Sequence, residues 1–135
     1  MDQYLRKRDV TMSELAQEID RLYELGANAD RDQARETFAQ LRHELSAGRV
    51  RAAEPNASSA TGWSVNTWVK KGILVGFRVG ATVAYPSASA TAPYLDKDTL
   101  PLKSLNPASG VRLVPGGSSI RDGAYIGPGV ICMPP

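Results

Sequence analysis

Val114-Pro115-Gly116-Gly117-Ser118-Ser119-Ile120-Arg121-Asp122-Gly123-Ala124-Tyr125-Ile126-Gly127-Pro128-Gly129-Val130-Ile131-Cys132 is the stretch whose spacing decides the fold. Apolar residues recur in it every six positions, at Val114, Ile120, Ile126 and Cys132, and small or turn-forming residues fill the intervals. A helix repeats its face every three to four residues and a strand every two, so neither alone produces this pattern. Two or three extended residues followed by a turn, repeated, do produce it, and that is the hexapeptide signature of a parallel β-helix. Glycine and aspartate at the corners agree with it, because such corners call for backbone with positive φ.

Upstream of this stretch the pattern becomes helical. Thr11-Met12-Ser13-Glu14 is a capping box, after which Leu15, Ile19 and Leu22 share one face, and Gly26 is placed to stop the helix. The spacing predicts a first helix over 12–25. Asp30 caps a second, with Ala34, Phe38, Leu41 and Leu45 on its apolar face and Gly48 beyond its end. The two helices are expected to pack on each other through the short turn 26–29. A short strand is expected in 49–54 and a loop over 55–62. A third helix, capped by Ser64 or Asn66, is expected to run to about Phe77 with Val65, Trp68, Val69, Ile73 and Phe77 inward. Residues 80–110 read as a surface connection with a strand near Thr82–Tyr85.

The length of 135 residues fits one domain with an appendage. The expected divisions are a helical domain over 1–54, a helix with its connecting segment over 55–110, and the start of the repeat over 111–135. Composition is that of a globular protein. Arg6, Lys7 and Arg8 near the start are followed by no apolar run, and no stretch is long and apolar enough to span a bilayer, so neither signal peptide nor membrane partner is expected. With the single cysteine Cys132 no internal disulfide can form, and a reducing cytoplasm is the expected compartment.

Charge is uneven along the chain. Residues 1–54 carry nine Lys and Arg against eleven Asp and Glu, whereas residues 55–135 carry seven against three. The second part therefore favours anions. It has no concentrated basic stripe and no nucleic-acid-reading module, so nucleic acid is not an expected partner and small anionic ligands are. Lys70 and Lys71 read as solvated helix surface, His43 as a surface or packing residue of the second helix, Cys132 as a buried small apolar residue rather than a nucleophile, and Asp122 as a residue serving its turn. Asn56-Ala57-Ser58 forms a glycosylation sequon that reads as chance in a chain with no secretory signal.

The run Gly62-Trp63-Ser64-Val65-Asn66-Thr67-Trp68-Val69-Lys70-Lys71-Gly72-Ile73-Leu74-Val75-Gly76-Phe77-Arg78 resembles the Trp-Val-x-x-x-Trp-Leu-Lys-Lys-x-(apolar)-Phe-Arg segment of tetrahydrodipicolinate N-succinyltransferases. Gly110-Val111-Arg112-Leu113-Val114-Pro115 and Ile120-Arg121-Asp122-Gly123-Ala124-Tyr125-Ile126 resemble the start of that family's left-handed β-helix. The resemblance is most specific over 49–54, 62–78 and 110–135. It implies an α+β fold: a helical amino-terminal domain, a mixed helix and strand middle, and the first one to one-and-a-half coils of a left-handed parallel β-helix, truncated.

It also implies transfer of a succinyl group from the co-substrate succinyl-CoA to the amine of the dicarboxylate tetrahydrodipicolinate, in lysine and diaminopimelate synthesis. The enzymes are homotrimers that need no metal and no bound cofactor. Arg112 matches the family arginine that binds the acceptor, a role suited to a planar guanidinium that can hold a carboxylate at two points. The acidic groups thought to act at the amine have no counterpart in residues 1–135, so no catalytic residue is expected in this chain, and the chain alone is expected to be inactive. Solenoid units are completed by their neighbours, so 111–135 is expected to fray when the chain is isolated. Two other readings remain at this stage. One is another hexapeptide acyltransferase, although those commonly use a coil histidine that is lacking here. The other is a non-catalytic interaction or regulatory subunit built from the same parts.

Overall fold

The computed structural model describes residues 10–85 and 94–134. The basic start around Arg6–Arg8 and part of the 80–110 connection lie outside them. Among the described residues the fold is α+β, with three helices and six short strands.

Helix α1 (Met12–Leu25) begins at the expected capping box: the Glu14 amide donates to Thr11 Oγ1 at 3.2 Å, and the Thr11 amide donates to the Glu14 carboxylate at 2.8 Å. The carboxyl of Glu14 is held below its ordinary value by the hydrogen bonds it accepts from Thr11, that of the backbone amide foremost and that of the hydroxyl second. Leu15, Ile19 and Leu22 are buried, and the helix stops at Gly26 with φ +58. A 3-10 turn over Gly26–Asn28 leads to α2 (Arg31–Ser46), where the Asp30 carboxylate accepts from the Gln33 amide at 2.8 Å. Ala34, Phe38 and Leu41 are buried as expected, and Leu45 is partly buried. Glu44 is the unforeseen buried residue on this helix. Its carboxylate accepts from the Arg49 guanidinium, which holds its pKa down, and its carbonyl accepts from the amides of Arg49 and Val50.

Strands β1 (Ala53–Pro55) and β2 (Trp63–Val65) form an antiparallel hairpin with Ala53 opposite Val65. The strand expected over 49–54 thus starts later and includes Pro55. The loop between them is closed by Asn56, whose amide nitrogen donates to Ser64 Oγ at 2.6 Å while its oxygen accepts from the Ser58 amide at 2.9 Å.

Helix α3 (Thr67–Val79) lies against both α1 and α2, and its inward face differs from the expected one. Val65 belongs to β2 and is 70% exposed, and Phe77 is 36% exposed. The buried face is Val69, Gly72, Val75, Gly76 and Val79. The reason is close approach: a Cβ at Gly72 would stand 2.3 Å from Leu41 Cδ2, and one at Gly76 would stand 2.6 Å from the Phe38 ring. Glycines that admit a neighbour's side chain carry no hydrophobic signal, so a reading based on large apolar residues turns the helix the wrong way. Trp68 and Ile73 still pack at the edge of the core.

Strand β3 (Thr82–Tyr85) stands where expected and pairs antiparallel with β4 (Tyr94–Lys97). The 80–110 segment is more than a surface connection, because Thr99 and Leu100 are buried and Leu100 joins Leu15, Ile19, Phe38, Leu41, Val50 and Val69 in one cluster. Thr99 Oγ1 donates to the Gly76 carbonyl at 2.9 Å, and Asp98 pairs with Arg35 at 2.7 Å. The Val79 carbonyl at the end of α3 accepts from Arg31 and Arg35, which places positive charge at the negative end of the helix.

The six-residue stretch is neither a helix nor an antiparallel hairpin. Strand β5 (Arg112–Leu113) pairs in parallel with β6 (Ile131–Cys132), with Arg112 opposite Ile131 and Leu113 opposite Cys132. Val114, Ile120, Ile126 and Cys132 are all half-buried. The pairing offset is nineteen residues, one more than three hexads, so Leu113 rather than Val114 lies beside Cys132. The step from Leu113 to Ile120 contains Gly116 and Gly117, both at positive φ, a corner able to take up the additional residue. Among the described residues no helix is long and apolar enough to cross a membrane.

Candidate functional site

Arg112 sits on β5, immediately after a corner made by the 3-10 turn Pro107–Ser109 and by Gly110 at φ +66. Asn106 caps that turn by accepting from the Ala108 amide at 2.9 Å. The Arg112 amide donates to the Val130 carbonyl at 3.0 Å, the Val114 amide to the Cys132 carbonyl at 3.0 Å, and the Gly129 amide to the Gly110 carbonyl at 2.7 Å. These bonds fix the backbone under Arg112. Its side chain is exposed, and among the described residues no carboxylate pairs with its guanidinium. A planar guanidinium fork without a protein partner can receive a carboxylate from solution.

The coil that carries Arg112 rests on the end of α2. The Asp122 carboxylate accepts from Ser46 Oγ, lies 3.1 Å from Arg42 Nε and lies 3.9 Å from Lys103 Nζ. Ser46 Oγ in turn accepts from the Gly123 amide at 2.7 Å and from Lys103 Nζ at 3.2 Å. Arg42 also donates to the Thr99 carbonyl. Two residues beyond Ser46, just past the end of α2, Gly48 at φ +72 receives the Tyr125 ring so closely that a Cβ there would stand 2.9 Å from it. Asp122 therefore does more than serve its turn: it joins the coil, α2 and the 99–103 segment. The latter also bridges to the coil through Leu102 and Arg121. Arg121 lies over the Phe77 ring and pairs with Asp96.

The other residues singled out in the sequence are dispersed. Lys71 is a tie between helices: its ammonium pairs with Asp20 at 2.8 Å and Glu24 at 3.6 Å, and lies 5.5 Å from the centre of the Tyr23 ring. The Asp20 hydrogen bond is the main reason its pKa is raised. Lys70 is exposed, as is His43 on α2. Cys132 lies in β6, unpaired and only half-buried rather than buried as expected, because no further strand covers it among the described residues. A hollow of about 230 Å³ near the α1–α2 turn is lined by Arg31 and Arg78, but both are turned to helix-end carbonyls, those of Val79 and Leu22. Among the described residues no three His, Cys, Asp or Glu side chains are placed to hold a metal ion. Nothing in the spacing of residues announces Ser46, Arg42 or Lys103 as partners of Asp122. Those contacts span long sequence separations and follow no period; the one local clue is a glycine just past a helix end.

Residues 14–79 match the family described as tetrahydrodipicolinate N-succinyltransferase N-terminal. The chain is 37% identical over 131 residues to the 2,3,4,5-tetrahydropyridine-2,6-dicarboxylate N-succinyltransferase of Granulibacter bethesdensis, covering 92% of this chain and 45% of that protein. It is 36% identical over 130 residues to the protein of the same name from Leptothrix cholodnii, covering 90% of this chain and 46% of the relative. A third such protein, from Herminiimonas arsenicoxydans, is 34% identical over 132 residues. The chain spans just under half the length of these curated relatives. Placed beside them over nine-tenths of its own length, the chain belongs to the tetrahydrodipicolinate N-succinyltransferase family, whose amino-terminal portion it matches.

Proposed function

We propose that these residues form the amino-terminal, acceptor-holding part of an enzyme that passes succinyl from succinyl-CoA to the amine of tetrahydrodipicolinate in lysine and diaminopimelate biosynthesis. The observation that carries this reading is the match to proteins so named over 90% and more of the chain. In the reaction the amine attacks the thioester carbon, the carbon–sulfur bond breaks, an amide forms, and coenzyme A leaves as its thiol while the amine gives up a proton. Such a step needs a base and donors for the oxyanion. We assign neither to this chain: His43 is exposed on α2, and Cys132 is engaged in β6. The acid and base groups belong to the stretch of the family that residues 1–135 do not span.

Arg112 is the acceptor-binding residue in this reading, supported by its exposed, carboxylate-free guanidinium on a backbone fixed by β5 and β6. The parallel pairing supports reading 111–134 as the first coil of a left-handed β-helix of hexapeptide repeats. With it go a homotrimer whose sites lie between neighbouring coils, a cytoplasmic location, and a reaction that uses succinyl-CoA as co-substrate without a resident cofactor or metal.

Titration with pimelate, a seven-carbon dicarboxylate like the acceptor, tests the binding role. Charge-assisted hydrogen bonds contribute about 1.5–3 kcal/mol, so Arg112→Ala is expected to weaken binding about ten- to hundredfold. Equal affinity in the variant overturns the assignment. Thiol release from succinyl-CoA by these 135 residues should show no dependence on the acceptor; acceptor-dependent turnover would overturn the absence of catalytic groups.

A further inference from the structure

We infer that Asp122 is a positioning residue for Arg112: by clamping the coil to the last turn of α2 through Ser46 and Arg42, it fixes where the Arg112 guanidinium meets a dicarboxylate. The inference rests on the acceptor-binding role given to Arg112 above.

From residue 101 to 134 no residue is buried, so the coil has little apolar packing to hold it in place. Two kinds of contact remain. One closes the coil on itself, through the amides of Arg112, Val114 and Gly129 that bond across β5 and β6. This fixes the shape of the coil but not its position on the helices. The other attaches it to the rest of the chain, through the backbone bonds of Ile120 and Asp122 with Lys103 and Pro101, the pair of Arg121 with Asp96, and the corner 122–125. There the Asp122 carboxylate meets Ser46 Oγ and Arg42 Nε, the Gly123 amide meets Ser46 Oγ, and Tyr125 seats against Gly48.

Asp122 is the centre of this corner. Its side chain is about one-third exposed, and its neighbours Arg42 and Lys103 are 22% and 14% exposed. Partly shielded opposite charges within hydrogen-bond range interact more strongly than exposed pairs, and removing the shared carboxylate leaves two cations and a hydroxyl facing one another. Ser46 Oγ donates to Asp122 while accepting from Gly123, so the carboxylate also orients the hydroxyl that holds the next residue's amide. Losing Asp122 thus frees the corner at several bonds at once, while the helix core is untouched.

The test uses the whole chain and two readouts. In the Asp122→Ala variant, pimelate affinity is expected to fall about tenfold, and exchange of the Gly123 amide, which donates to Ser46 Oγ, to speed up at least tenfold, with the helical circular dichroism and unfolding midpoint near those of the parent. Asp122→Asn keeps an acceptor for Ser46 but turns an NH2 toward Arg42 Nε, and should recover only part of both. Adding Asp122→Ala to Arg112→Ala should weaken binding no further, because the first acts only through the second. Unchanged exchange at Gly123 in Asp122→Ala overturns the clamp whatever the binding data show. Parent-like pimelate affinity in Asp122→Ala, with Arg112→Ala impaired, overturns the positioning role. Accelerated exchange in a chain whose parent binds no pimelate leaves the clamp standing as a mechanical tie and overturns the reading of Arg112 instead.

Discussion

In the three-helix unit Leu15, Leu22, Ala34 and Leu41 are at most 1% exposed, whereas the coil over 111–134 contains no buried residue and is attached by the polar contacts of Asp122, the pair of Arg121 with Asp96, a backbone bridge to Leu102 and the Tyr125 ring. The helices are held by apolar area, a contribution that depends little on exact placement. The coil is held by hydrogen bonds and charge, which are directional and fix position at small net gain in stability. Substitutions in the first region should therefore change how stable the chain is, and substitutions in the second should change where Arg112 stands.

The largest effect is expected at Leu41, which is fully buried against Gly72. Leu41→Ala should cost about 2–5 kcal/mol in urea unfolding followed by helical circular dichroism. A loss below about 1 kcal/mol would mean that the helices are not what holds the chain together. Gly76→Ala comes next. The new methyl meets the Phe38 ring and overpacking costs about 1–3 kcal/mol, offset by about 1 kcal/mol of improved helix propensity, so the thermal midpoint should fall. A rise would show that Phe38 moves freely and that the α2–α3 contact is loose.

A smaller effect is expected in acid. Asp98 has its carboxyl lowered to about 2, first by the hydrogen bond from Arg35 and then by the one from the Ala81 amide. Because the folded value lies below the ordinary one of 3.8, the ionised group stabilises the fold fully above about pH 4, and that contribution is lost as the pH falls toward about 2. Asp98→Asn should flatten the decline in stability over that window, measured by urea midpoints at a series of pH values. An identical decline in the variant would remove Asp98 from the account. The smallest effect is expected at Ile126: the residue is only half-buried, so Ile126→Ala should shift the unfolding of the helices by less than about 1 kcal/mol. A cost as large as that of Leu41→Ala would abolish the contrast between the two regions.

Local chemistry made α1 legible to the residue, because a capping box at Thr11 and a glycine at 26 mark its ends independently of anything distant. Asp30 did the same for α2, and the six-residue spacing pointed to the parallel rather than antiparallel pairing of the tail. The inward face of α3 was illegible because two of its buried residues are glycines, whose contribution lies in the space they leave for Leu41 and Phe38. Strand β4 and the burial of Leu100 escaped because that segment has no period; its placement comes from pairing with β3 and from Asp98 meeting Arg35. Of the candidate site, Arg112 was visible through its resemblance to a known segment. The partners of Asp122 were not, since a serine and an arginine on a helix surface look the same whether they face water or a distant turn.

Gly48 combines two demands that a sequence-selection experiment can separate. Its φ of +72 is a conformation that asparagine also tolerates, but the Tyr125 ring leaves no room for any side chain. A library randomised at position 48 and screened only for folded helices should return asparagine alongside glycine. The same library screened for dicarboxylate capture should return glycine alone, so one position records separately the history of the fold and the history of the ligand.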